Sequence, residues 1–230
     1  MKNFRLNFIV EGQTEERFVN QVLQDHFATR SIYTAAHCIT TRRNRRTPHI
    51  KYRGGLITYR HACDDIRRWT KEEKSENVRF TTMFDLYGLP NDFPGYEDAD
   101  KESDPYLRTS ILEKALGESI NDRRFIPYIQ LHEFEALLFS DIQKLSIQFP
   151  QYSERIRELS AVASKFNSPE LINDGSTTAP SKRIIEAIPE YGIAKASAGP
   201  IATSQIGLCI LESKCQHFRE WLERLTTAFT

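Results

Sequence analysis

Residues 6–23, LNFIVEGQTEERFVNQVL, decide the fold. The apolar run 6–10 reads as a buried strand, and Glu11-Gly12 ends it with a turn. Thr14 is the predicted N-cap of a helix with Glu15 and Glu16 in its first turn, where negative charge suits the helix dipole. Phe18, Val19, Val22, Leu23 and Phe27 follow at helical spacing. Strand, glycine turn and helix in that order open a βαβ unit.

Outward from this stretch the alternation continues. Residues 32–41, IYTAAHCITT, are rich in β-branched side chains and predict a second strand. Leu56, Tyr59, Cys63, Ile66 and Trp69 mark an amphipathic helix. VRFTTMF predicts a third strand running straight into Asp85, followed by an acidic loop over 86–104. Leu107, Ile111, Leu112, Ala115 and Leu116 give a further helix. RFIPYIQL predicts a fourth strand, with Pro127 indicating an edge or a bulge, and HEFEALLFSD reads as helical. The expected class is α/β with a mostly parallel central sheet over residues 1–140. A helical C-terminal region over 141–230 is expected to pack on it. Its last helix carries the stripe Leu208, Leu211, Cys215, Phe218, Leu222, Leu225 and Phe229, expected to be the face that packs on the domain, with a partner helix as the alternative.

Composition bounds the function. The 230 residues are 40% hydrophobic, enough for a real core, and this excludes a collagen, a disordered tail or a disulfide scaffold. The four cysteines form no CxxC pair and are expected to be reduced thiols. No signal peptide and no membrane helix is expected, and the cytoplasm is the expected compartment. The zero net charge conceals two opposed segments. Between His26 and Cys63 there is no acid, but Arg30, Arg42, Arg43, Arg45, Arg46, Lys51, Arg53 and Arg60 are basic, with Tyr52 and Tyr59 interleaved. Such a stretch is a solvated loop or a nucleic-acid contact, with the tyrosines available to stack on bases. Between Asp85 and Asp104 seven acids face a single Lys101.

Open α/β sheets place their sites at the carboxyl ends of strands. There stand Glu11, Asp85 and the group His132, Glu133 and Glu135. Gathered carboxylates repel one another unless cations neutralise them, and an oxygen-only donor set suits Mg²⁺ or Mn²⁺. Such an ion activates water and stabilises a leaving oxygen in phosphodiester cleavage. The candidate ligands are Glu11, Glu15, Asp85, Glu133 and Glu135, with Glu11, Asp85 and Glu135 as catalytic candidates. His132 and Glu135, at i and i+3, would share one helical face as a hydrogen-bonded pair or as part of the site. No GxSxG elbow and no GxxxxGK[ST] loop is present, so serine hydrolysis and intrinsic nucleotide hydrolysis find no support.

FIVEGQTEERFV, FDLYGLPNDFPG, LHEFEALLFSD and INDGSTTAPSKRI together resemble a bacterial domain-of-unknown-function family, number 4276. The resemblance implies a Toprim-like, Rossmannoid fold, that of topoisomerases, primases and OLD-family nucleases. It implies that Glu11 is the glutamate after the first strand, Glu15 the next acid, and Asp85 the aspartate after the third strand. The usual DxD is Asp85-Leu86-Tyr87 here, so Glu133 or Glu135 would replace the second aspartate. In the PSKR segment Lys182 and Arg183 would meet a phosphate, helped by a helix N-terminus. The resemblance further implies a nuclease effector of a phage-defence or mobile-element system, working beside an ABC- or AAA-type ATPase, with a homo-oligomer as a further expectation. The rivals are a catalytically degenerate scaffold that binds a partner or nucleic acid, and a small-molecule phosphate-ester enzyme.

Overall fold

A computed structural model describes residues 4–39, 56, 58–172 and 178–229. The first strand, β1 (Phe4–Val10), is buried along residues 6–10, as a strand covered on both faces must be. It leads into α1 (Gln13–Phe18), a π-helical turn (Val19–Leu23) and α2 (Gln24–Ala28), then β2 (Ile32–Cys38). α3 (Tyr59–Glu72) connects to β3 (Val78–Asp85). A 3-10 turn (Leu86–Gly88), α4 (Tyr96–Ala99) and α5 (Pro105–Ile120) follow, then β4 (Phe125–Ile126) and β5 (Ile129–Gln130). After the 3-10 helix Phe134–Ser140 the chain is helical: α6 (Leu145–Gln148), α7 (Ser153–Ala163), α8 (Pro180–Ala187), α9 (Tyr191–Ile206), α10 (Leu208–Lys214) and α11 (Gln216–Thr227).

The sheet order is β2-β1-β3-β4, with β5 also pairing β3, and every pairing is parallel. Alternation along β1 divides two cores. Leu6, Phe8 and Val10 pack with the first helix and the C-terminal helices, whereas Ile9 packs with α3 and α5. The result is helices on both faces of a parallel sheet. From β1 the chain moves outward to β2; from β3 it moves the other way to β4. The strand order therefore reverses between β1 and β3, the point at whose carboxyl ends open α/β sheets place their sites.

The C-terminal helices belong to the larger core. Trp221 of α11 stacks on Tyr128 with ring centroids 4.0 Å apart and donates its indole N–H to the Thr81 hydroxyl at 2.8 Å. It also meets Phe8 edge-on. Among the described residues, no helix is long and apolar enough to cross a membrane, and the four cysteines are free.

Four expectations need correction. The predicted fourth strand is split: Pro127 lacks an N–H, and Thr82 bridges the gap by accepting from Tyr128 N–H and donating to the Tyr128 carbonyl. The helix is capped at Gly12 rather than Thr14, because the Glu15 carboxylate reaches back to the Gly12 N–H at 2.9 Å while Thr14 is buried within α1. The C-terminal stripe spans two helices, broken at an extended Cys215. A fresh N-terminus begins there because buried Glu170 accepts the backbone N–H groups of His217 and Phe218. Finally, His132 and Glu133 precede the 3-10 helix instead of lying on it. His132 has a φ of +60° and Glu133 is extended, so His132 and Glu135 share no helical face.

Candidate functional site

Glu11 leaves β1 and Asp85 ends β3, so the two acids stand at neighbouring strand ends on either side of the reversal point. Glu11 Oε2 accepts the Asp85 backbone N–H at 3.2 Å. The turn after Asp85 folds back over the Glu11 carboxylate. A Cβ on Gly88 would lie 2.9 Å from both Glu11 oxygens, so only glycine allows this approach. Glu15 stands one turn into α1, buried and held by Gly12.

The chain after β5 brings the other two acids. Asp85 Oδ1 accepts the Phe134 N–H at 2.9 Å, and the His132 carbonyl accepts the Tyr87 N–H at 3.0 Å. These bonds lace the turn after β3 to the segment carrying Glu133 and Glu135. His132 bears left-handed backbone strain between them, of order 1–3 kcal/mol. Its ring rests on Tyr87 with centroids 5.5 Å apart. Glu133 is gripped by the first turn of α8: Ser181 N–H donates to one oxygen and the Ser181 hydroxyl to the other at 2.9 Å. Glu135 is fully buried, accepts from the Tyr191 hydroxyl at 3.1 Å and pairs with Lys195 Nζ at 3.0 Å.

The five carboxylates act on one another. Burial, then the charge of Glu15, pushes Glu11 up to about 7, although the Asp85 N–H and Lys195 pull it down. Burial and the charges of Glu11 and Glu15 hold Asp85 well above the usual carboxylate range. Burial likewise raises Glu15, and it pushes Glu135 up to about 7 against the pull of Lys195. Burial works against the ammonium of Lys195, but Glu135, Asp85 and Glu133 outweigh it and hold that pKa above the usual lysine range.

The predicted acids Glu11, Glu15, Asp85, Glu133 and Glu135 are therefore brought into one electrostatically connected group. Among the described residues, however, no three His, Cys, Asp or Glu side chains are already gathered as a metal-ligating set. Each carboxylate is instead held by backbone or side-chain donors. Among the described residues the donor set is carboxylate oxygen, with one lysine against five acids. That chemistry fits a hard divalent cation.

The basic candidates fare differently. Arg42, Arg43, Arg45, Arg46, Lys51 and Arg53, with Tyr52, lie outside the described residues. Tyr59 is not a free stacking platform, because its hydroxyl donates to Ser119 and its ring packs edge-on against Phe93. The expected phosphate seat at the α8 N-terminus is taken by Glu133. Lys182 is exposed beside it, and Arg183 donates to the Thr178 carbonyl. Sequence reasoning missed Lys195, Tyr191 and Gly88. Tyr191 and Lys195 are spaced i, i+4 on α9, which was the available signal.

The fold and site together define a doubly wound α/β protein with an acidic cluster at its switch point. The chain belongs to the family described as domain of unknown function (DUF4276), whose model matches residues 10–226. No curated protein and no solved structure is significantly similar to it.

Proposed function

We propose that this protein is a divalent-metal-dependent phosphodiesterase acting on DNA or RNA, with a Toprim-like catalytic domain. The observation that carries the reading is the placing of Glu11 and Asp85 at adjacent strand ends of the switch point, tied by the Asp85 N–H. Glu11, Glu15 and Asp85 would hold Mg²⁺ or Mn²⁺, with Glu133 and Glu135 completing the donor set. When bound, the ion supplies an activated water and a stabilised leaving oxygen. Glu11, at the end of β1 beside Asp85, would either ligate the ion or take and return a proton. The acid-free basic run of residues 26–63 supports nucleic acid as substrate. A cytoplasmic setting and an ABC- or AAA-type ATPase partner in phage defence complete the proposal.

A second reading is a degenerate scaffold. It is favoured by Leu86 and Tyr87 standing where a second aspartate would, and by the lack of a preformed ligating set among the described residues. Incubation of supercoiled plasmid and of folded RNA with Mg²⁺ or Mn²⁺ separates the two readings. The wild type is expected to nick at least one of them, and Glu11→Ala and Asp85→Ala to lose this. Equal products from all three proteins, or none from any, would contradict the nuclease reading.

A further inference from the structure

Lys195 enters the acidic site from the C-terminal half of the chain. Its Nζ lies 3.0 Å from Glu135 Oε2, and 34% of its side-chain surface stays accessible while Glu135 has none. It acts electrostatically on Asp85 and Glu133 as well as on Glu11 and Glu15, so one ammonium serves all five carboxylates. The backbone that carries it is tightly held. Tyr191, one turn earlier on α9, binds the other oxygen of Glu135. One turn later, a Cβ on Gly199 would lie 2.9 Å from the Phe134 ring, so α9 presses against the segment that bears Glu135. Arg17 of α1 donates to the Ala196 carbonyl on the same helix.

We propose that Lys195 is the resident cation of this site, occupying the place of a second metal ion, so that the site takes up one divalent cation rather than two. The inference rests on the proposed metal dependence and specifies it. An ammonium paired with Glu135 Oε2 competes with a second ion for that oxygen, and it repels a second dication by simple Coulomb interaction. No acid follows Asp85 to compensate, since Leu86 and Tyr87 take those positions.

Calorimetric titration of the full chain with Mn²⁺ tests this. Wild type and Lys195→Arg should bind one ion, and Lys195→Met should bind two. Circular dichroism reports whether Lys195→Met has folded. If it has not, Glu135→Gln/Lys195→Met removes the pair without stranding a charge, and it should bind one Mn²⁺ at least 10-fold more tightly than wild type. Two ions in the wild type, or stoichiometry and affinity unchanged in folded Lys195→Met and in Glu135→Gln/Lys195→Met, would overturn the proposal while leaving metal dependence intact. Binding by Lys195→Met but none by wild type would support Lys195 as the resident cation and overturn the metal-dependent reading. No binding by any protein would overturn both.

Discussion

The Glu11 carboxylate accepts the Asp85 backbone N–H at 3.2 Å across 74 residues of sequence, and this bond fixes the two acids at the ends of adjacent parallel strands. Two carboxylates so placed destabilise each other in the absence of a cation. Glu11→Gln keeps the shape and the acceptor but removes a charge. In metal-free protein at pH 8 it should raise Tm by roughly 2–4 °C, the effect of about 1 kcal/mol in a chain of this size. The same variant, and Asp85→Asn, should lower diester cleavage by about 100-fold or more. Thermal unfolding in EDTA and initial rates check the two parts.

The metal-free protein should lose stability as pH rises. Glu11 and Glu135 are pushed from 4.5 to about 7 in the folded chain, and Glu15 and Asp85 are raised as well. Between pH 4.5 and 7 the native state therefore keeps protons that the unfolded chain has released. The stabilisation is complete below the unfolded values and is lost as pH passes the folded ones. His217, raised above its usual range despite burial by its contact with Glu113, acts in the same direction. Tm in EDTA should fall by roughly 5 °C or more from pH 5.5 to 8. Glu11→Gln should flatten that slope, and an unchanged slope would refute the assignment.

Much of this arrangement was legible in the sequence, for identifiable reasons. β1, β3 and the acids that follow them were readable because a buried strand meeting a carboxylate and a turn is a strong local pattern. The convergence of Glu133 and Glu135 was readable only as position. Their holding depends on Ser181, Tyr191 and Lys195, 48–60 residues further on, and no local pattern reports such a contact. The helix expected over HEFEALLFSD tightened to a 3-10 helix because Asp85 captures the Phe134 N–H and fixes how the segment starts. The break at Cys215 was hidden because the stripe keeps helical spacing straight through it, and the cause is a cap supplied by Glu170.

Gly88→Ala tests the close approach of the turn to Glu11. Its Cβ would sit 2.9 Å from both carboxylate oxygens, so the carboxylate must move. The fold should persist, with a change in Tm under about 5 °C. The concentration of Mn²⁺ needed for half-maximal cleavage should rise roughly 10-fold, because about 1.4 kcal/mol of metal affinity is a small loss for a displaced ligand. A Mn²⁺ activation curve beside a circular dichroism spectrum reads both.

Ser181→Ala removes one of the two donors that grip Glu133. A hydrogen bond to a charged group contributes about 1.5–3 kcal/mol. The variant should therefore melt roughly 5 °C lower, by the same size scaling. An unchanged Tm would mean that Glu133 is held by the Ser181 N–H alone.

Hydrolysis of a minimal diester, bis(p-nitrophenyl) phosphate, followed as Mn²⁺ is titrated, tests the central claim most directly, because it needs no sequence, no fold in the substrate and no partner. The account predicts saturable, Mn²⁺-dependent turnover by the wild type, with rates at least about 100-fold lower in folded Glu11→Gln and Asp85→Asn. Equal rates in the three proteins, or turnover indifferent to Mn²⁺, would contradict it.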